Sequence, residues 1–281
     1  MNKIKKAVIP IAGMGTRFLP ITKSVPKEML PIVDKPTLHY IVKECVESGI
    51  EEILFITNSN KKCVEDYFDK NYELESRLLQ NNKIKELDMI KDIHNMCKIY
   101  YIRQSEPNGS ADAIKLASSF VGSDDFAILL GDDLMKYETP VLEQLIKMYE
   151  KYDANIIGVH EVEDDLKNRY GIVEVKGDKI IKMIEKPNSS ETSSNIAIAG
   201  RYIVKNEIFK EIDKLNRGKN GEYQFTDALL KLMSYQDFYA CKFNGTYFDI
   251  GSKMGYIKAI LSYALDSNLH DSVEEYLKEL I

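Results

Sequence analysis

The feature that most constrains the fold is an apolar run, VIPIA at residues 8–12, that ends in a glycine-rich loop, GMGTR at residues 13–17. Continuous apolar runs of this kind are typical of buried parallel strands. Glycines directly after such a strand let backbone N–H groups approach an anion that a side chain would keep away. We therefore predict a first strand over residues 6–12, followed by a loop that binds a phosphate-like group.

Strand and helix patterns then alternate along the first half of the chain. The runs EILFIT, KIYYIRQ and DFAILLGDDL have strand character, and Pro36 opens a helical pattern that stops at Gly49. This alternation is typical of βαβ units. It predicts an α/β fold with a Rossmann-like, mostly parallel mixed sheet flanked by helices. Residues 69–96 are polar and helix-prone, which favours a solvated helical excursion.

The second half of the chain has a different pattern. YGIVEVKGDKIIKMIEKP predicts a β-hairpin that turns at Gly177 and Asp178, and IAIAGRYIV predicts a further strand. Two short strands are expected on either side of Asn244 and Gly245, and a helical segment is expected from Ser252 onward. Without a linker or a repeat, the simplest organisation is one domain over residues 1–281 with a C-terminal appendage.

Composition and charge exclude several classes of function. The formal net charge is -6 without a long basic block, which argues against nucleic acid as a partner. No window approaches the roughly 18 uninterrupted apolar residues of a membrane span, so we expect a cytoplasmic protein. The four cysteines and four histidines are scattered, so the spacing indicates neither a His-based metal site nor a catalytic triad.

The glycine loop itself differs from two common phosphate-binding motifs. Phe18 stands where a dinucleotide fingerprint has its third glycine, and no Gly-Lys-Ser/Thr sequence follows. Arg17, Lys23 and Lys27 instead lie in one proline-stiffened loop beside the glycines. Glycine amides with fixed cations suit a triphosphate. An ordinary turn and a solvated basic loop are the alternatives.

Acidic residues at predicted strand ends indicate a second element of a site. Asp132 and Asp133 directly follow an apolar strand, where ligands of open α/β sheets bind, so either could anchor Mg²⁺. Glu185 and Lys186 follow the predicted hairpin, and Asp249 ends a short strand. Each of these alone is also compatible with a turn or a surface ion pair.

Together these motifs resemble a known family. IPIAGMGTRFLPITKSVPKEMLPIVDKPTLHYIVKECVESGIEEILFIT, FDKNYELE, LGDDL, YGIVE, IEKP, GEYQFTDAL and FDIGSKMGYIKAILSYAL are similar, in order, to the bacterial UTP:glucose-1-phosphate uridylyltransferases. These belong to the sugar-1-phosphate nucleotidyltransferase superfamily. The resemblance implies transfer of the uridylyl group of UTP to glucose 1-phosphate with Mg²⁺ as cofactor. It also implies a homodimer or homotetramer.

The resemblance also implies a role for each matching residue. The residues that would contact the nucleotide are Ala12, Gly13, Gly15, Thr16, Arg17, Gln104 and Gly109, the last two at the uracil edge. Those that would bind the sugar phosphate are Glu28, Gly171, Glu185 and Lys186. Asp132 and Asp249 would hold Mg²⁺, and the catalytic set would be Arg17, Lys27, Lys186 and Asp132. Residues 1–135 would form the nucleotide half, 136–251 the sugar-phosphate half and 252–281 the helical appendage.

One segment departs from the pattern of this family. Uridylyltransferases usually show a Leu-Gly-Leu-Gly-His-Ala run where this chain has PNGSADAI, which looks more like thymidylyl- or adenylyl-transferring relatives. Gly109 and Ala113 are kept. The same chemistry with dTTP or another nucleotide therefore stays open as an alternative, with a non-catalytic sugar-nucleotide sensor and a dinucleotide-dependent oxidoreductase as more distant ones.

Overall fold

A computed structural model describes residues 3–188, 190–218 and 221–280. The strands are β1 Lys6–Pro10, β2 Pro31–Ile32, β3 Lys35–Pro36, β4 Glu52–Thr57, β5 Lys98–Arg103, β6 Phe126–Leu129, β7 Asp133–Lys136, β8 Asn155–Glu161, β9 Gly171–Lys176, β10 Lys179–Glu185, β11 Ile196–Val204, β12 Phe238–Lys242 and β13 Thr246–Asp249. The helices are α1 Thr37–Glu47, α2 Lys62–Phe68, α3 Tyr72–Gln80, α4 Ile84–His94, α5 Ser110–Lys115, α6 Ser118–Val121, α7 Val141–Tyr152, α8 Ile208–Asp213, α9 Phe225–Met233, α10 Lys253–Leu265 and α11 His270–Leu280.

A nine-stranded mixed sheet forms the centre of the molecule, in the order β5-β4-β1-β6-β11-β8-β12-β10-β9. The strands β5, β4, β1 and β6 pair in parallel, as the alternating pattern predicts. β11 then runs antiparallel to both β6 and β8. The predicted α/β fold with a mixed sheet is confirmed, and its parallel character is concentrated in the first half of the chain.

Helices cover both faces of this sheet. Val8 of β1 packs into the core under α5, α8 and α9, whereas its neighbours Ala7 and Ile9 belong to the core under α1 and α7. Side chains alternate between the two faces of a strand. A strand that is covered on both faces must therefore be apolar at every position, which accounts for the uninterrupted run at the start of the chain.

The local predictions match the structure except for one strand pair. The hairpin of β9 and β10 turns at Gly177, whose φ of 62° favours glycine, and the polar insertion folds as α3 and α4. The strands on either side of Gly245 both exist but do not pair with each other. β12 joins the main sheet parallel to β8, and β13 pairs with β7 in a separate two-stranded ribbon.

The continuity of the sheet bears on domain organisation. β6 lies in the expected nucleotide half and β11 in the expected sugar-phosphate half, and four residue pairs join the two strands, from Arg201↔Leu129 to Val204↔Phe126. This pairing supports the proposal of one domain over residues 1–281.

Within the part of the chain that the structure describes, no helix has both the length and the apolar character needed to cross a bilayer.

A buried ion pair connects the sheet to the helices on one side. Arg201 on β11 is 0% exposed and donates to both carboxylate oxygens of Glu44 on α1, with Nη2–Oε2 at 2.9 Å. Its Nη2 also donates to the Asp133 carbonyl at 2.8 Å, and Glu44 accepts the Leu142 N–H of α7 at 3.1 Å. Four elements of structure therefore meet at one guanidinium–carboxylate contact.

We expect Arg201→Met to lower the free energy of unfolding by about 3–5 kcal/mol, because Glu44 would remain buried without its partner. Urea denaturation measures this loss. Lys43→Met is the matched control, because it breaks an exposed pair with Glu47 on the same helix, at 3.6 Å. That control should cost less than about 1 kcal/mol. Equal losses for the two variants would contradict the importance of the buried pair.

Candidate functional site

A cavity of about 560 Å³ opens at the edge of the sheet where β6 ends. Six residues that the sequence predicts for the site line it, and they come from five separate segments. They are Arg17, Asp132, Gly171, Glu185, Lys186 and Asp249. Ligands of open α/β sheets bind beyond the carboxyl ends of parallel strands, and this cavity has that position.

The loop after β1 has the conformation that its glycines permit. Gly15 has a φ of 65°, and a Cβ there would lie 3.2 Å from Thr22 Cγ2 and 3.3 Å from Lys27 Cβ. The Thr22 hydroxyl also donates to the Gly15 carbonyl at 2.8 Å. Gly13 faces open space, so a ligand could approach its backbone without meeting a side chain. The loop is thus shaped for close contact with an anion.

The ends of this loop are held in place by neighbouring elements. Asn58, just after β4, donates to the Ala12 carbonyl at 2.7 Å. Thr16 begins a short 3-10 turn, Thr16–Phe18, that directs Arg17 across the cavity. Arg17 Nη1 lies 3.5 Å from the Gly251 carbonyl, on the far side of the site. The predicted triphosphate residues are therefore adjacent to the carboxylates described next.

Two carboxylates and one guanidinium converge beside Gly251. A methyl group built on this glycine would lie 3.0 Å from Asp249 Oδ1 and 3.2 Å from both Asp132 Oδ2 and Arg17 Nη1. The β7–β13 ribbon sets this arrangement, because it pairs Asp133 with Asp249. In the described part of the chain, no group of three or more His, Cys, Asp or Glu side chains is placed to hold a metal alone. Two carboxylates beside a phosphate site nevertheless fit a hard divalent cation, which takes its other ligands from substrate and water.

Lys27 contributes the nearest cation to this centre. Its Nζ lies 2.6 Å from Asp132 Oδ2. Burial opposes the ionisation of Asp132, but the charge and hydrogen bond of Lys27 outweigh it and hold the pKa of Asp132 below its usual value. Burial likewise disfavours the charged form of Lys27, yet the carboxylates raise its pKa. The pair therefore stays ionised.

The neighbouring Asp133 has the opposite electrostatic environment. Burial, followed by the charge of Asp132, raises the pKa of Asp133 to about 7. Its Oδ1 accepts a hydrogen bond from the Tyr247 hydroxyl of β13 at 2.5 Å. Gly200 makes room for this carboxylate, because a Cβ there would collide with Oδ2. Of these two adjacent aspartates, only Asp132 is thus held in its ionised form.

Glu28 is buried next to Lys27, in the turn Lys27–Met29. It is 1% exposed, outside the lining of the cavity, and its Oε2 lies 2.7 Å from Lys61 Nζ. Its Oε1 lies 4.0 Å from Lys27. A buried carboxylate between two lysines is positioned to stabilise the loop. We propose that Glu28 supports Lys27, and its contact with glucose stays a prediction.

Glu185 is the centre of the residues that the sequence predicts to bind the sugar phosphate. Its Oε2 accepts a hydrogen bond from Thr226 Oγ1 of α9 at 2.8 Å, and its Oε1 lies 3.5 Å from Lys186 Nζ. A Cβ on Gly171 would lie 3.3 Å from Glu185 Oε2 and 2.9 Å from Ile198 Cδ1, so a side chain there would crowd the carboxylate. Glu185 is consequently fixed in orientation and open to a hydroxyl-bearing ligand.

Lys186 adopts an unusual backbone conformation. Its φ of 47° is in the left-handed region, which costs a non-glycine residue of order 1 kcal/mol or more. Its N–H donates to the Tyr170 carbonyl at 3.0 Å, and its side chain lines the cavity. Strain of this kind concentrates at functional sites, and here it turns the chain at the end of β10 so that Lys186 reaches the cavity.

Gln104 and Gly109, the predicted base-binding residues, lie next to each other in the structure. Gln104 directly follows β5, and its Nε2 donates to Asp112 Oδ2 at 2.9 Å and to the Gly109 carbonyl at 3.4 Å. Gly109 has a φ of 115°, and a Cβ on it would lie 2.5 Å from the Tyr223 carbonyl oxygen. A glycine is therefore required at this point.

Four residues of the site were not identified from the sequence. They are Lys61, Asp112, Thr226 and Tyr247, each hydrogen-bonded to a residue that the sequence did indicate. Thr226 and Asp112 lie within quoted motifs, so the sequence offered a signal there. Lys61 and Tyr247 make contacts that no local pattern indicates.

Comparison with known families agrees with this geometry. The family model described as nucleotidyl transferase matches residues 6–265. The chain belongs to the nucleotidyl transferase family. Members of this family generally use a divalent metal ion. The α/β fold and the family predicted from the sequence are confirmed.

Individual relatives are similar over nearly the whole chain. The UTP--glucose-1-phosphate uridylyltransferase of Mycoplasma pneumoniae is 50% identical over 99% of this chain and 99% of its own. A UTP-bound UGPase from Acinetobacter baumannii is 39% identical with a TM-score of 0.91, covering 99% of this chain and 100% of its own. A UDP-glucose pyrophosphorylase complexed with UDP-glucose is also 39% identical, with a TM-score of 0.85, covering 94% and 100%.

The raised pKa of Asp133 predicts a pH dependence of stability. The folded protein retains a proton on this carboxyl at pH values where the unfolded chain, with the ordinary pKa of 3.8, has lost it. The stabilisation is therefore fully present below about pH 4 and is lost as pH rises through about 7. Asp133→Asn should lack this loss, so its free energy of unfolding relative to wild type should rise by up to about 1.4 kcal/mol per pH unit in that interval. Urea unfolding in chelator-containing buffer from pH 4.5 to 7.5 measures it, and a constant difference would contradict the assignment.

Proposed function

We infer that this protein transfers the uridylyl group of UTP to glucose 1-phosphate, giving UDP-glucose and pyrophosphate. The observation that carries this inference is the convergence of Arg17, Asp132 and Asp249 on one point of a cavity that Glu185 and Lys186 also line. We propose that this cavity receives both a nucleoside triphosphate and a sugar phosphate. The full-length similarity to uridylyltransferases gives the base and the sugar.

The chemistry follows from the charges of the two substrates. A phosphate oxygen of glucose 1-phosphate attacks the α-phosphorus of UTP, and the bond from that phosphorus to the bridging oxygen of pyrophosphate breaks. The attacking oxygen is already anionic at neutral pH, so no strong general base is required. The difficulty is to bring two anions together in line, and positioned cations reduce it. We propose that Arg17, Lys27 and Lys186 supply this charge neutralisation.

Magnesium is the divalent ion that we propose for this site. Asp132 and Asp249 would hold it, because Mg²⁺ prefers one or two carboxylates together with substrate phosphates. When bound, the ion would neutralise phosphate charge and help align the two substrates. Lys27 keeps the Asp132 carboxylate ionised, as the lowered pKa of that group indicates. Asp132 can thus offer an ionised carboxylate to the metal ion before substrate binds.

We propose the remaining substrate contacts from the positions of the residues in the structure. Ala12 and Gly13 would lie against the nucleoside, Gly15 and Thr16 would contact the triphosphate through their backbone, and Gln104 and Gly109 would meet the uracil edge. Gly171 and Glu185 would bond the glucose. The support for these roles is the open space over Gly13 and the fixed carboxylate of Glu185.

The test of the proposed function is pyrophosphate release by the purified protein with Mg²⁺ and glucose 1-phosphate. UTP, dTTP, ATP, CTP and GTP are compared in parallel. A strong preference for UTP is expected. A preference for dTTP or ATP would keep the fold and chemistry but change the nucleotide, as the PNGSADAI segment allows. Absence of turnover with all five would favour a sugar-nucleotide sensor.

Asp132→Asn should lower kcat more than about 100-fold at saturating Mg²⁺, because the variant loses an anionic ligand and leaves Lys27 without its 2.6 Å partner. The measurement is turnover as a function of Mg²⁺ concentration. Asp165→Asn is the matched control, because Asp165 is exposed and lies outside the cavity. This variant should behave as wild type. Normal metal dependence in Asp132→Asn would remove the assignment.

Lys186→Ala should raise KM for glucose 1-phosphate at least about tenfold and change KM for UTP much less, since a lost charge-assisted contact costs about 2 kcal/mol. Alanine faces a similar backbone cost at this left-handed position, so the comparison isolates the side chain. Lys182→Ala is the control, because Lys182 lies on β10, the strand that precedes Lys186, but pairs with Glu174 away from the cavity. An equal rise in both KM values would contradict a sugar-phosphate role.

We also propose a homodimer or homotetramer in the cytoplasm. The support for an oligomer is the apolar surface of the C-terminal helices, where Met254, Ile257 and Leu261 of α10 and Tyr276 and Leu280 of α11 are exposed. Light scattering of the purified protein measures its mass, and a monomer would contradict the proposal.

A further inference from the structure

The side-chain amide of Gln104 has an enforced orientation. Its Nε2 lies between two oxygens, Asp112 Oδ2 at 2.9 Å and the Gly109 carbonyl at 3.4 Å. Carboxylate and backbone carbonyl oxygens accept hydrogen bonds, so both oxygens must face the NH₂ end of the amide. The Oε1 end therefore points away from them. No donor within the described residues reaches this oxygen, so it remains available as an acceptor.

Both oxygens that orient this amide are held by surrounding structure. Asp112 lies in the first turn of α5, whose residues Ala111 and Ile114 are buried in the core. The carbonyl of Gly109 is fixed because the loop is hydrogen-bonded to Tyr223 on both sides, from Tyr223 N–H to the Asn108 carbonyl at 2.8 Å and from Ala111 N–H to the Tyr223 carbonyl at 3.0 Å. The orientation of the amide is thus determined before any base binds.

Gln104 is anchored as well. Its own N–H donates to the Thr57 carbonyl at 2.8 Å, which continues the β4–β5 pairing by one residue. Asn58, the next residue after Thr57, holds the Ala12 carbonyl. The amide of Gln104 and the proposed nucleoside-binding backbone at Ala12 are therefore attached to the same strand end.

We propose that Asp112 is a positioning residue for base selection, which holds the nitrogen of Gln104 so that its carbonyl oxygen faces the Watson–Crick edge of the base. This inference rests on the proposed function. Uracil and thymine carry an N3–H donor at that edge and match an acceptor, whereas cytosine carries an N3 acceptor and opposes it. Asp112 consequently selects imide-bearing pyrimidines against cytosine and does not separate UTP from dTTP.

A purely structural role for Asp112 makes a different prediction. An acidic residue in the first turn of a helix interacts favourably with the helix dipole, which would affect stability but not base preference. The discriminating quantity is therefore the ratio of kcat/KM for UTP to that for CTP. A change in folding or in general phosphate affinity leaves this ratio unchanged.

The experiment compares wild type with Asp112→Asn, using UTP, dTTP and CTP with glucose 1-phosphate. An asparagine can donate as well as accept, so both orientations of Gln104 become accessible. We expect the UTP:CTP ratio to fall at least fivefold and the UTP:dTTP ratio to stay constant. Glu106→Gln is the matched control, because it removes a carboxylate from the same loop that contacts only Asn108 among the described side chains. Its ratios should equal those of wild type.

A double-variant cycle provides the second measurement. In a Gln104→Ala background, Asp112→Asn should not change the UTP:CTP ratio further, because the amide on which it acts is gone. An unchanged ratio in Asp112→Asn alone, or a further change in the double variant, would overturn the role of Asp112. Asp112→Ala repeats the test if the asparagine variant does not fold. A wild-type preference for a purine nucleotide would instead overturn the proposed function itself.

Discussion

The buried contact between Arg201 and Glu44 is the constraint on which the site depends. Arg201 belongs to the central strand β11, and its guanidinium also donates to the Asp133 carbonyl at the start of β7. The preceding turn, between β6 and β7, carries Asp132, one of the two carboxylates that we propose as Mg²⁺ ligands. A charged pair in the core thus fixes the position of a charged group that lines the cavity, and the desolvation of the buried pair is offset by several simultaneous hydrogen bonds.

The electrostatics of the site show why two adjacent aspartates differ. Lys27 lies against Asp132, while Asp133 faces a tyrosine hydroxyl and a glycine backbone. Burial, followed by the charge of Asp132, raises the pKa of Asp133, whereas Lys27 holds the pKa of Asp132 below its usual value. The sequence offers no nucleophile–histidine pair. A reaction between two preformed anions does not require one, because it needs fixed cations more than it needs a base.

Much of this organisation could be predicted from the sequence because it is encoded locally. The glycine loop after β1, the hairpin at Gly177 and the aspartates at strand ends follow from turn chemistry and apolar patterning. Contacts between distant segments could not be predicted. The sequence places Glu28 in a loop, but it does not indicate the ion pair that Glu28 makes with Lys61. The two strands that flank Gly245 pair with β8 and β7 and not with each other. Local patterns indicate that a strand exists, whereas its partner depends on the packing of the whole chain.

The pairing of β6 with β11 also limits how the protein can move. Hydrogen bonds between these strands join the proposed nucleotide half and the proposed sugar-phosphate half of the chain in one sheet. A hinge between the two sides would have to break them, so closing of the cavity by rotation of large bodies is disfavoured. Entry of substrates and departure of pyrophosphate then depend on side chains and surface loops. Motions of side chains and surface loops are in general faster than collective rotations of domains.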